Sequence, residues 1–274
     1  MHRAALSHFG LEGDYRLFDI APEEIDRSLP QLIADGLSGF NITIPHKETI
    51  FARCSRLSDA AKRACAVNTV KIEPHAQLSG HNTDIEGFRR SLVLHHGNCQ
   101  RTTAAVIGFG GAAKAAILVL DELGFAEVRI LARDESKVAA SFAAWNESLA
   151  ASPLKVRIRV VSCQSEDAAA PVQLIVNSTP IGQRSAEMPP FIRPMLRQLA
   201  PGGLLFDMVY ARELRMTPLV SLAGELGVEA VDGTDMLVYQ AAAAFEIWTG
   251  KRPPFSIMKD ALEKQRSSAG SGAS

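Results

Sequence analysis

The stretch AAVIGFGGAAKAAILVL, beginning at Ala104, leaves this chain few choices of fold. A short apolar run ends at Gly108, and beyond Gly110 and Gly111 a continuous run of helix-forming residues follows. A strand that turns through glycine directly into a helix opens a β-α-β unit, and such units build parallel sheets covered by helices. Glycine permits the tight turn and lets backbone N–H groups approach a pyrophosphate at the positive end of a helix. Ala113 fills the third small position of that fingerprint, where helix and strand must pack closely. Gly108, Gly110, Gly111 and Ala113 are therefore candidate dinucleotide contacts.

The residues after that segment continue the alternation. Apolar runs over 104–108, 127–132, 156–161, 174–178 and 203–208 read as buried parallel strands, with helices over 111–123 and 135–149. Before it, 15–20 and 39–44 read as strands with a helix over 23–34 between them. Runs over 67–72 and 77–80 form a hairpin around Pro74, and a helix starts near Asp84, capped by Asn82 or Thr83. Beyond Gly233 the chain turns helical around residues 241–248, breaks at Pro253 and Pro254, and resumes over 256–264.

The end of the second strand of a dinucleotide fold selects between cofactors: a carboxylate suits free ribose hydroxyls, a basic side chain a 2′-phosphate. Here Arg133 can grip a phosphate through two parallel N–H bonds, and Lys137 follows one helical turn later. Asp134 and Glu135 pull the other way. The expected cofactor is NADP, with NAD as the alternative.

Twenty-nine basic against thirty acidic residues, with no run of one sign, provide no stripe for nucleic acid. No stretch approaches the ~18 to 20 apolar residues of a membrane helix, and no basic-then-apolar N-terminal pattern marks a secretory signal. Cys54, Cys65, Cys99 and Cys163 are scattered without metal-site spacing, as expected of reduced thiols in a cytoplasmic protein with no metal.

The segments GFNITIPHKE from Gly39, AVNTV from Ala66, GHNTDIEGF from Gly80 and IGFGGAAKA from Ile107 resemble, in order and spacing, the shikimate dehydrogenase family. NSTPIG from Asn177, FDMVY from Phe206 and DGTDMLVYQAAAAFEIWTG from Asp232 extend the resemblance over nearly the whole chain. It implies an α/β protein of two domains. Residues 1–98 and 237–264 would form an α/β substrate domain, and 99–236 an inserted Rossmann-like NADP domain. Residues 265–274, ending in SSAGSGAS, read as a disordered tail. The resemblance further implies reversible reduction of 3-dehydroshikimate to shikimate by a monomer or homodimer; the alternatives are a quinate/shikimate dehydrogenase-like enzyme using NAD or NADP, and a catalytically weak dinucleotide-binding homologue.

Carried over by position, Lys47 and Asp84 match the family's catalytic pair. Reducing a ketone needs a proton donor at oxygen, and a lysine held by a carboxylate can serve. Asn68, Asn82, Thr43 and Gln240 match positions around the substrate ring, and Tyr210 one near the substrate carboxylate. Asn177, Thr179 and Gly233 lie where the family lines the cofactor.

The chain departs from the family in places. In members a strand and a Ser-x-Ser-Pro segment precede the first helix, and those serines hold the substrate carboxylate. Residues 1–6 align with the start of that helix, so either Met1 is an internal methionine, the favoured account, or the protein lacks that strand; on either account the expectation is a weak grip on the carboxylate by the residues given. Ala132, Asp134, Gln183 and Arg212 also stand where members commonly carry other residues, which bears on cofactor choice and rate rather than fold.

Overall fold

The structure, a computed structural model, describes residues 1–43, 46–97, 100–183, 185, 187–211 and 216–270. Ile44, Cys99, Arg212 and residues 271–274 lie outside the described residues. In chain order the elements are α1 (His2–His8), α2 (Ile25–Ala34), β1 (Gly39–Asn41), α3 (Lys47–Phe51), β2 (Arg56–Leu57), α4 (Asp59–Ala64), β3 (Thr69–Glu73), β4 (Gln77–His81) and α5 (Asp84–His96). There follow β5 (Thr103–Ile107), α6 (Gly111–Glu122), β6 (Glu127–Ala132), α7 (Glu135–Ser148), β7 (Arg157–Ser162), β8 (Val172–Asn177), α8 (Ile192–Leu196) and β9 (Leu199–Asp207). The chain ends with α9 (Pro218–Glu225), β10 (Glu229–Val231), α10 (Thr234–Thr249) and α11 (Phe255–Gly270).

Two compact units emerge: Met1–Gly87 with Val238–Ser274, and Phe88–Leu237. The first division falls inside α5, not after residue 98. The reason is local: α5 is continuous, and Phe88, at the start of its second part, packs edge-on against Phe206 of β9 with ring centroids 4.9 Å apart.

The first unit holds a four-stranded sheet in the order β1-β3-β4-β2. The hairpin expected around Pro74 is present, with β3 and β4 antiparallel from Thr69 opposite His81 to Glu73 opposite Gln77. Val67, Val70, Leu78, Ile25, Leu29 and Ile50 form its core. Helix α10 locks onto this sheet through Trp248, whose Nε1 donates to the Val70 carbonyl at 2.9 Å. The indole lies where a Cβ on Gly39 would stand, so only glycine fits there. Two expectations are corrected. Residues 15–20 join no ladder; a strand needs a partner, and among the described residues β1 pairs only with β3. Leu17 is consequently 92% exposed. The tail read as disordered from residue 265 instead continues α11 to Gly270, because Glu263, Lys264, Gln265 and Arg266 are good helix formers and Ser267 Oγ donates back to the Glu263 carbonyl.

The second unit is a six-stranded, wholly parallel sheet in the order β10-β9-β8-β5-β6-β7. The chain winds outward from β5 through β6 to β7, then returns to the other side of β5 as β8. In such sheets the crevice outside the carboxyl ends of strands at the reversal point is where ligands bind. β5 and β8 are that pair, and β5 leads into the glycine turn. Ala105, Ile107, Ile175, Leu205, Ile192 and Leu219 pack one face of this sheet.

Candidate active site

In the first unit a chain of hydrogen bonds joins four of the residues singled out by sequence. Lys47 opens α3 and Asp84 opens α5, and Lys47 Nζ donates to Asp84 Oδ2 at 2.5 Å. The pair is shielded, with 18% of the lysine side chain and 5% of the aspartate side chain exposed. Asn68 Nδ2 donates to Asp84 Oδ1 at 2.8 Å and to Gln240 Oε1 at 3.3 Å. Each Asp84 oxygen therefore has its own donor.

Asn68 is itself held rigidly. Its Oδ1 accepts from Thr83 N at 2.7 Å, Thr69 Oγ1 at 3.1 Å and Thr83 Oγ1 at 3.2 Å. Its backbone is tied to His81 and Ile42. A side-chain amide with every bond directed cannot rotate, so it fixes Asp84 and Gln240 together. Asn82 is buried beside this group; Nδ2 donates to the Ala66 carbonyl at 3.0 Å, while Oδ1 has no partner among the described residues. Thr43 stands apart from the network on the exposed surface, its carbonyl accepting from His46 N.

In the second unit the glycine turn follows β5. Gly108 has φ +89, and a Cβ there would lie 2.5 Å from Thr179 Cγ2. Conformation and contact both demand glycine. Gly110 is the N-cap of α6 and faces open space, so the unpaired N–H groups of the first helical turn are free to receive a ligand. Ala113 is fully buried. At the end of β8, Asn177 Oδ1 accepts from Thr179 N and Thr179 Oγ1, at 3.1 and 2.7 Å, which shapes the loop against Gly108. A Cβ on Gly233 would collide with the Met208 carbonyl. Arg133 is exposed and, with Cys163, Ser165 and Phe191, lines a cavity of about 460 Å³; Lys137 is exposed in the first turn of α7. Tyr210 is half-buried beyond β9. These residues suit a dinucleotide: an open helix start, a turn without side chains, and a cation facing a cavity.

Sequence reasoning passed over Asp207. It is fully buried at the end of β9, accepting from Thr217 Oγ1 at 2.6 Å, Asn177 Nδ2 at 2.8 Å and Val209 N at 3.1 Å. Burial raises its pKa to about 6, against the lowering effect of those three donors, while Asp232 raises it further. Through Asn177 it holds the loop that meets the glycine turn.

Residues 1–70 match the shikimate dehydrogenase substrate binding domain, and residues 233–263 match the shikimate 5′-dehydrogenase C-terminal domain. A shikimate dehydrogenase (NADP(+)) of Microcystis aeruginosa is 35% identical over 267 residues, covering 97% of this chain and 91% of that one. This chain belongs to the shikimate dehydrogenase family. It shares that family's two-domain α/β fold and its place among the oxidoreductases of the shikimate/quinate dehydrogenase type. The structure of shikimate 5-dehydrogenase from Thermus thermophilus, in complex with NADP(H) and shikimate, superposes with a TM-score of 0.78 at 30% identity, covering 96% of this chain and 92% of that one. Quinate dehydrogenase from Corynebacterium glutamicum, in complex with NAD, gives a TM-score of 0.80 at 27% identity, with 96% and 92% covered. Within the shikimate dehydrogenase family, then, relatives of similar likeness differ in ring acid and dinucleotide. Among the described residues no cluster of His, Cys, Asp or Glu could hold a metal ion, and no helix is long and apolar enough to cross a membrane.

Proposed function

We propose that this chain catalyses the reversible, NADP-dependent reduction of 3-dehydroshikimate to shikimate, a step toward chorismate and the aromatic amino acids. The observation that carries this reading is the shielded Lys47–Asp84 pair, fixed by Asn68.

A bound nicotinamide dinucleotide supplies the hydride. Reducing the ketone also requires a proton at its oxygen, and Lys47 is the group to deliver it. Asp84 orients the ammonium and offsets its charge; in the reverse direction the same amine receives the hydroxyl proton. Gln240, Asn68 and Asn82 would present amides to the ring hydroxyls, Thr43 a further hydroxyl, and Tyr210 its phenol to the substrate carboxylate. The open N-terminus of α6 with Gly108, Gly110 and Gly111 would hold the pyrophosphate, Arg133 and Lys137 the 2′-phosphate, and Ala113, Asn177, Thr179 and Gly233 the rest of the cofactor site.

A second reading, a quinate/shikimate dehydrogenase using NAD, is favoured by one feature, the carboxylate of Asp134 beside Arg133. Hydride transfer followed at the nicotinamide absorbance, with shikimate and quinate each paired with NADP and NAD, separates the two. Turnover of shikimate with NADP that collapses in Lys47→Ala supports the first reading. Preferred turnover of quinate with NAD replaces it by the second. Dinucleotide binding without any turnover would reduce the chain to a binding homologue.

A further inference from the structure

His46 directly precedes Lys47, and the proposed chemistry gives it no task. Its ring is half-buried, with Nε2 2.9 Å from the Ile20 carbonyl. A carbonyl oxygen only accepts, so Nε2 is the donor. Nδ1, on the other side of the ring, is buried and has no partner among the described residues. A buried nitrogen without a partner costs stability, and a phenylalanine ring would fill the same space without that cost. What histidine adds is one directed bond to Ile20.

That bond acts on the start of α3. The His46 N–H donates to the Thr43 carbonyl at 3.0 Å, and the His46 carbonyl accepts from Ile50 N at 2.9 Å, the first bond of the helix. One residue on, the Lys47 carbonyl accepts from Val67 N at 3.2 Å. Ile20, at the far end of the ring's bond, packs against the core that includes Ile50, Val67 and Val70. A helix of five residues cannot hold itself in water, so α3 takes its direction from ties such as these. Lys47 is the first residue of α3, and the aim of its ammonium at Asp84 follows from where its Cα is held. For a group that transfers a proton, a misplacement of about 1 Å can cost about 10²-fold in rate.

We propose that His46 is a positioning residue for Lys47, its Nε2 bond to Ile20 fixing the start of α3 and with it the direction in which the ammonium is presented. This rests on the proposed role of Lys47 as proton donor. A residue that only supported the fold would lower stability when replaced. His46 holds geometry at a cost in stability, so rate and stability separate. His46→Phe keeps a ring and removes the donor. His46→Gln restores an N–H at the reach of Nε2, whereas the amide of His46→Asn reaches only as far as Nδ1.

Hydride transfer is to be followed with whichever of shikimate and quinate, and of NADP and NAD, the parent uses best. The constants kcat and KM, and the melting temperature, are compared for the parent, the three variants and Lys47→Ala. His46→Phe should lower kcat about tenfold or more, with KM within about twofold of the parent and a melting temperature no lower. His46→Gln should return kcat to within about threefold of the parent, and His46→Asn should stay with His46→Phe. Parental kcat in His46→Phe, or a low kcat that His46→Gln does not recover, overturns the role of His46 alone. So does a loss of kcat that follows the melting temperature across the three variants. Should His46→Phe fail to fold, the Gln and Asn variants decide, and equal kcat in both overturns the inference. A parent without turnover of any pair, or one whose kcat survives Lys47→Ala, overturns the proposed function, and the inference with it.

Discussion

At the scale of single residues the proposed chemistry turns on Lys47. Loss of a general acid costs about 10²- to 10⁴-fold in rate, so Lys47→Ala should lower kcat by that order. KM should change far less, because Asn68, Gln240 and Asn82 are untouched; a mutant that loses KM and keeps kcat would make Lys47 a binding residue. Asn68→Ala has a different signature. It strips a buried partner from Thr83 N, Thr69 Oγ1 and Asp84 at once, and each unsatisfied buried group costs about 1–3 kcal/mol. Urea unfolding should show a loss of about 2 kcal/mol or more; Lys47→Ala, which leaves the buried Asp84 carboxylate without its cation, should destabilise as well, so kcat and not stability separates the two variants. Lys47, Asp84 and Asn68 were legible because each falls inside a motif whose order along the chain is specific. Asp207 was not. Its three donors come from Asn177, Val209 and Thr217, and no local pattern announces that residues 177, 207 and 217 meet at one point.

At the scale of elements, the centre of the parallel sheet was readable because strands buried on both faces are largely apolar runs; β6 matches its expected limits, β5 and β8 shift by a residue or two, and the half-exposed edge strand β7 by one. What escaped was short or lacked such a run: β10 has three residues at the sheet edge, and α9 carries Gly224 within a mixed sequence. The stretch 15–20 shows the converse, since strand propensity without a neighbouring ladder gives no strand. Helix caps offer a graded test. Ser58 caps α4 by accepting from Ala61 N, the one bond its hydroxyl makes among the described residues. Ser58→Ala should therefore cost about 1 kcal/mol. Thr217 caps α9 by accepting from Val220 N and also donates to buried Asp207. Thr217→Ala should cost about 2–3 kcal/mol, the cap plus a lost bond to a carboxylate. Equal losses in the two variants, measured by urea unfolding, would mean that the Thr217–Asp207 bond adds nothing.

At the scale of the whole molecule, the two units carry buried titrating groups of opposite sign. In the first, His2 is buried between the rings of Tyr15 and Trp248. Burial lowers its pKa to about 4 from an ordinary 6.5. Below pH 6.5 the unfolded chain takes up a proton that folded His2 refuses, so stability falls as pH drops toward 4, by an amount on the order of 3 kcal/mol. In the second unit the raised pKa of Asp207, about 6 against an ordinary 3.8, works the other way. Below pH 6 the fold takes up a proton that the unfolded chain refuses, and stability rises by a similar order until pH nears 4. His81 in the first unit and His96 in the second are both lowered by burial, which adds to the loss in one and trims the gain in the other. Each unit holds one tryptophan, Trp248 in the first and Trp145 in the second, so fluorescence can follow them separately in single-tryptophan variants. Between pH 7 and 5 the urea midpoint seen by Trp248 should fall relative to that seen by Trp145. Should the units unfold together, two substitutions still separate the effects. His2→Phe should make the common midpoint less sensitive to acid, because it removes a group that refuses its proton in the fold. Asp207→Asn should make it more sensitive, because it removes the one that accepts. Slopes that shift in the same direction in both variants would show that burial of these two groups does not govern the pH response.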